Sequence, residues 1–432
     1  MLNKITIKIW QLKHNEVALN SAWQFFERFV GLGCSFIASI FVIRYFAPAE
    51  YGIFAYAASY VTLFSSLTSM GLQSIVVREV VKNSIPTETI LGSAFVIMIC
   101  GAVAALILAV GGALLTHEKS TATWIILIMC LTNIVGSLAV INYYFQAKIK
   151  ARYIAYILLV QDVIDICIRI GMVHFKAKLL SFALLGLIES ILAYTAIYLS
   201  FRSSSKLNNW RIEAKTIKFL LHQSTPIALT ALISSQYMRL DQVLLEHFKG
   251  FAQVAPYSVG IKLIEVFYII PSIISINLFP KMTELFNNVD KTAFNIYFKK
   301  AIIINLVFSV IIIALLFTCA EEIIFLLYGT KYYNAVFVLK YGSLCILPYF
   351  LAVITEIWIQ INSMQKYSLY KTIVMLILNI TLCVIFIPRY GQQGAISALV
   401  ITYLISNLIV WIIFKDLRQL IFMRHSKTER IS

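Results

Sequence analysis

Charge is what this chain has least of. Only 13% of its 432 residues are Asp, Glu, Lys or Arg, while 60% are hydrophobic; a soluble protein carries about twice that charged share. So large an apolar excess has no stable aqueous form unless lipid covers it. The apolar runs lack the alternation of two that an outer-membrane barrel needs. No Gly-x-x-x-x-Gly-Lys-Ser/Thr loop is present, which excludes nucleotide hydrolysis of that type in this chain. The seven cysteines form no Cys-x-x-Cys and sit inside apolar runs, where they read as small packing residues. No carboxylate or histidine cluster follows any run, which speaks against an active site, and the short loops leave no room for a catalytic segment. No cleavable signal peptide is evident. The opening, Lys4, Lys8 and Lys13 among Ile5, Ile7, Ile9 and Trp10, suits a short amphipathic surface segment or a solvated tail equally well.

What is there is a series of apolar runs, each long enough to cross about 30 Å of hydrocarbon as a helix. We place twelve spans near 21–46, 52–82, 90–115, 121–146, 153–175, 178–201, 217–247, 252–284, 296–319, 335–363, 368–387 and 392–415. With the N-terminus inside, the cytoplasmic segments hold about three times as many Lys and Arg as the opposite side, the bias that orients multi-pass proteins. Both termini are therefore expected in the cytoplasm. The net charge of +16 follows from this loop bias and implies no nucleic-acid partner.

The polar stretch 202–216 divides the chain into residues 1–201 with six spans and 217–432 with six more and a cytoplasmic tail. Shifting by 203 residues brings Phe64 onto Phe267, Ser69 onto Ser272 and Arg78 onto Lys281. An even number of spans per half makes such a repeat parallel, with a transport path expected between the halves.

Several stretches resemble the polysaccharide-transport family, which includes the O-antigen flippases of bacterial inner membranes. They are Arg44 to Glu79 with its Glu50-Tyr51-Gly52 turn, Gly71-Leu72 pair and Arg78-Glu79 close, Leu240 to Phe248, Phe325 to Ala335, and Pro388 to Val400. The resemblance implies a member of the multidrug/oligosaccharidyl-lipid/polysaccharide exporter superfamily: an all-α polytopic membrane protein, two six-helix lobes in a V about a central cavity. It further implies a cargo of oligosaccharide on undecaprenyl diphosphate, moved from the cytoplasmic to the periplasmic leaflet, with membrane lipids, a polysaccharide polymerase and a chain-length regulator as partners. A lipid II flippase or a cation-coupled multidrug exporter shares the broader fold. The Gly-x-x-x-Asp-Arg loop of major-facilitator transporters is absent: Arg78 to Asn83 reads Arg-Glu-Val-Val-Lys-Asn.

An ionisable side chain within a span costs about 2.5–3.5 kcal/mol at the helix centre, and is a functional candidate by default. Arg28 in the first span and Lys262 in the eighth are each about two turns or more deep, and either suits a diphosphate. Glu265, one turn after Lys262, offers a simple ion pair instead. Arg239 and Asp241 point to nearly opposite sides; the resemblance favours Asp241 toward the cavity and Arg239 paired to another helix. Arg78 and Lys281 occupy matching cytoplasmic mouths and Arg44 the opposite one, as capture points or as snorkelling cations. Asp162, Asp165 and Arg169 share one face of the fifth span: Arg169 can satisfy Asp165, leaving Asp162 for a coupling proton. The coupling ion, H+ or Na+, is open, and no cofactor is called for. Glu189 and Glu356 read as isolated acids, and the tyrosines as an interfacial belt.

Overall fold

The structure, a computed structural model, describes residues 2–117, 120–204, 209–287, 291–362 and 364–413. The side chains of the N-terminal basic segment and the tail from Phe414 onward lie outside the described residues, so the amphipathic reading of the one and the charge of the other are not seen. The described chain is helical throughout: α1 (Leu2–Tyr45), α2 (Pro48–Ser69), α3 (Leu72–Lys82), α4 (Thr87–His117), α5 (Thr121–Val135), α6 (Val140–Ala147), α7 (Arg152–His174), α8 (Leu179–Ser204), α9 (Ala214–Lys249), α10 (Phe251–Val266), α11 (Ile269–Asn287), α12 (Lys291–Thr318), α13 (Ala320–Tyr328), α14 (Ala335–Gly342), α15 (Ile346–Ile361), α16 (Gln365–Tyr390) and α17 (Gln392–Ile413).

Nine stretches of helix among the described residues are long and apolar enough to cross a membrane. Of the twelve expected spans, those on α7, α9 and α17 fall outside the nine. The reason is plain for two of them: α7 carries the candidate charges Asp162, Asp165 and Arg169, and α9 is diluted by polar His222, Gln223, Ser224 and Thr225 ahead of the candidates Arg239 and Asp241.

Four expected spans are broken in mid-course. The second is α2 and α3, the fourth α5 and α6 across a short 3-10 turn at Gly136–Ala139, the eighth α10 and α11, and the tenth α14 and α15 across a 3-10 turn at Ser343–Cys345. Counted within each half, the second and fourth spans are the broken ones. This shared pattern carries the repeat further than the sparse residue matches do.

The chain divides into two compact units, Met1–Ser235 and Gln236–Ser432. The division falls inside α9, later than the 202–216 stretch suggested by polarity, because that stretch and the start of α9, with Leu220, pack into the first unit. Trp210 meets Phe95 and Phe201 edge-on, and Arg211 N–H donates to the Glu88 carbonyl at 3.2 Å. In the first unit α1 packs along α7, and α2 against α4 and α5. Lipid removes the hydrophobic drive between helices, so close approach of small residues takes over. Gly101 of α4 shows it: a Cβ there would lie 2.1 Å from the Leu67 carbonyl oxygen. A core of Leu72, Ile75, Val76, Ile90, Leu91, Ile141, Phe145 and Phe201 anchors one end of this unit. In the second unit α10 packs on α14, α12 on α15 and α16 on α17, with Met282, Phe298, Ile354 and Trp358 in one cluster.

Candidate functional site

The break between α2 and α3 is built from backbone strain. Met70 (φ 47°) and Gly71 (φ 64°) are both left-handed, and the Met70 N–H closes α2 on the Ser66 carbonyl at 3.0 Å. Such a conformation costs an L-residue about 1–2 kcal/mol, and glycine escapes it for want of a Cβ. A Cβ at Gly71 would also stand 2.7 Å from Cγ2 of Ile227 on α9, so glycine is required twice over.

Past the break, α3 is two-faced. Leu72, Ile75, Val76, Glu79 and Val80 are buried, whereas Gln73, Ser74 and Arg78 are exposed. Buried Glu79 accepts from Arg78 Nε at 3.0 Å and from the Ser84 hydroxyl at 3.3 Å, and Arg78 Nη2 reaches Gln223 Oε1 at 3.5 Å. Gln73 Nε2 donates to Gln146 Oε1 on α6 at 3.1 Å. Ser69, Gln73, Ser74, Tyr143, Gln146 and Ile227 line an open pocket of about 350 Å³. Gln73 lies about 14 Å of helix rise from Lys82, within a stretch long and apolar enough to cross a membrane. In hydrocarbon the Ser74 hydroxyl and the remaining donor and acceptor arms of Gln73 and Gln146 would be unsatisfied, so this face suits water or a polar cargo.

A second constellation joins α7 and α8. Arg169 Nε donates to Asp165 Oδ1 at 2.5 Å, and its Nη2 reaches Glu189 Oε2 at 3.5 Å, while Glu189 Oε1 is buried without a partner among the described residues. Two carboxylates thus share one guanidinium. Asp162, a turn away, makes no hydrogen bond or ion pair among the described residues and lies against α1, where a Cβ on Gly31 would meet its Oδ2 at 2.7 Å. Glu189 is thus no isolated acid. Neither is Glu356, 3.8 Å from Lys371 Nζ.

In the second unit the charges close on each other. Arg239 holds Glu265 through two contacts, Nη1 to Oε1 at 3.2 Å and Nη2 to Oε2 at 3.3 Å. Asp241 is 2% exposed and takes hydrogen bonds from the Tyr257 hydroxyl and the Gln242 N–H. Beside them Tyr268 stacks on Tyr349, with ring centroids 3.8 Å apart.

The family model described as polysaccharide biosynthesis protein matches residues 17–286. The chain belongs to this family. A second model, MatE, matches residues 226–385. Among curated proteins none matches the chain in sequence. A lipid II flippase, MurJ, in an inward-closed conformation is 18% identical with a TM-score of 0.74, covering 91% of this chain and 87% of its own. An inward-facing multidrug resistance MATE family transporter is 13% identical with a TM-score of 0.67, covering 88% and 93%. A MOP superfamily transporter from Pyrococcus furiosus, titled for the reverse polarity of its binding pocket, is 12% identical with a TM-score of 0.58, covering 92% of each chain. These likenesses share a fold, and together with the family models they put this polysaccharide biosynthesis protein in the multidrug/oligosaccharidyl-lipid/polysaccharide exporter superfamily. It is a multi-pass membrane protein whose relatives are transporters and flippases, not enzymes.

For this family member the remaining sequence candidates fall as follows. Arg28 is exposed on α1, amid exposed Phe25, Phe26 and Phe29. Lys262 is half-buried on α10, and Glu265 of the same face is held by Arg239. Arg44 is exposed in the last turn of α1. Lys281 is exposed and pairs with Glu284 at 3.1 Å. Sequence reasoning missed Gln73, Ser74 and Gln146. Their signal was a polar i, i+1, i+5 run with Arg78 inside an apolar stretch.

Proposed function

We propose that this chain carries an undecaprenyl-diphosphate-linked oligosaccharide, an O-antigen or related repeat unit, from the cytoplasmic to the periplasmic leaflet of the inner membrane by alternating access. One observation supports this above others: the open face of α3 presents uncharged hydrogen-bonding groups with a cation at its cytoplasmic end, and its one carboxylate, Glu79, is buried. A cationic drug would find no counter-charge on that face, whereas a sugar phosphate finds hydrogen bonds and a guanidinium. Arg28 and Lys262 are proposed as further contacts to the diphosphate, and Arg78 as its capture point. Arg239, Glu265 and Asp241 then hold the wall of the second unit rather than the cargo. The acids Asp165 and Glu189 sharing Arg169, with Asp162 beside them, are proposed as the seat of coupling to a proton or sodium gradient.

The MatE match and these acids favour a second reading, cation-coupled export of small molecules. Flipping of a lipid-diphosphate sugar in proteoliposomes decides between them. Transport of that lipid, reduced in Arg28→Ala and Lys262→Ala at equal membrane levels, is the expected result; transport of organic cations alone would reject the lipid-linked cargo. Rates identical with and without an imposed proton or sodium gradient would remove the coupling role of the acids.

A further inference from the structure

We infer that the pocket at the break between α2 and α3 holds the sugar ring attached directly to the phosphate of the carried lipid, and reads it through uncharged hydrogen bonds. The inference rests on the lipid-linked-sugar reading above. The pocket offers hydroxyls from Ser69, Ser74 and Tyr143 and amides from Gln73 and Gln146, with no charged side chain in its lining. Each of these groups donates and accepts, which is what a ring bearing hydroxyls on several carbons requires. Ser69 already donates to the Ser66 carbonyl and the two amides bond each other. An apolar ligand would leave the Ser74 hydroxyl and the other arm of each amide unpaired, and a site built on such groups rejects a ligand that lacks partners for them. Leu72, Val77 and Ile227 supply an apolar floor for the ring's carbon face.

The amides are arranged in advance. The bond from Gln73 Nε2 to Gln146 Oε1 ties α3 to α6 and leaves Gln73 Oε1 as an acceptor and Gln146 Nε2 as a donor. Arg78 follows the pocket residue Ser74 by one turn on the same open face, about 6 Å further along the helix. That short separation suits a phosphate at Arg78 and the ring bonded to it in the pocket, but not a ring several sugars away. At about 350 Å³ the pocket is near the small end of ligand sites, with room for one ring rather than a whole repeat unit. The remaining sugars then extend through its open side. Selectivity is therefore placed on the phosphate-proximal ring and is weak for distal ones.

Binding of two synthetic probes to the full chain in nanodiscs tests this: polyprenyl diphosphate bearing one glucose, and the same lipid without sugar. Wild type is expected to bind the glucosylated probe more tightly. Gln73→Ala and Gln146→Ala should each weaken that probe about tenfold, the loss of a buried hydrogen bond or slightly more, while binding of the bare lipid, which also reports folding, persists. Ser74→Leu, which fills the pocket from the open face and breaks no hydrogen bond within the protein, should act in the same selective way. Arg78→Gln should weaken both probes. Equal loss of both probes in the pocket variants, no loss of either, or equal binding of both by wild type would overturn the sugar subsite and leave the lipid-linked reading standing. Wild type that binds neither probe would overturn both.

Discussion

The second and eighth spans occupy the same place in the two halves of the chain, and both are broken, yet the breaks are finished differently. In the first unit two left-handed residues, Met70 and Gly71, part the helix and leave an open polar pocket. In the second, Phe267 stays in a helical turn (φ −78°, ψ −13°) and Tyr268 packs its ring on Tyr349 at 3.8 Å. One break is held open and the other is filled. The charges follow the same division: Arg169 is shared between two acids with Asp162 left over, whereas Arg239 and Glu265 satisfy each other on both arms. The shared pattern of discontinuities thus leaves hydrogen-bonding groups exposed at the first break and pairs charges internally near the second.

The sharpest way to break this comparison is Gly71→Val. The left-handed φ and the overlap with Ile227 act together, so we expect most transport and much of the folded protein to be lost, read by export and by size-exclusion profile; wild-type levels of both would show that the first break is not fixed by its backbone. Next is the double-mutant cycle of Arg239→Met and Glu265→Gln. Either change alone should cost about 1–2 kcal/mol by leaving a half-buried partner uncompensated, and the pair together should recover part of it; thermal unfolding in detergent with no recovery would mean the two groups do not act as a pair. Tyr268→Ala should cost about 1–2 kcal/mol of stability through the lost stack and burial, lowering the melting point with little change in cargo preference. A change in cargo preference there would erase the proposed contrast between the breaks. The smallest effect is expected from Lys281→Ala, since an exposed pair such as Lys281–Glu284 contributes about 0–1 kcal/mol. Arg78→Ala, its counterpart in the repeat, should impair transport; equal impairment by both would restore the symmetry.

Hydropathy made the spans legible because insertion depends on the apolar content of a stretch, not on its backbone. For the same reason the breaks were hidden: Phe267-Tyr268 is as apolar as its neighbours, and nothing but Gly71 marks the first break. Pairs within one helix could be read from spacing. Arg169 with Asp165 was read so, and Lys281 with Glu284 could have been. Glu189 and Glu356 looked solitary because their partners, Arg169 and Lys371, come from other helices, and packing between helices leaves no spacing in the chain. Gln73 and Gln146 carry no charge to mark them, although an uncharged amide in an apolar stretch poses the same question of what satisfies it.

The contact between Gly31 and Asp162 has an experimental use. A single methyl group at position 31 would overlap the carboxylate oxygen at 2.7 Å, so the Asp162 side chain must swing aside while Asp165 and Glu189 keep their places. Gly31→Ala is therefore a way to displace this one acid without removing it.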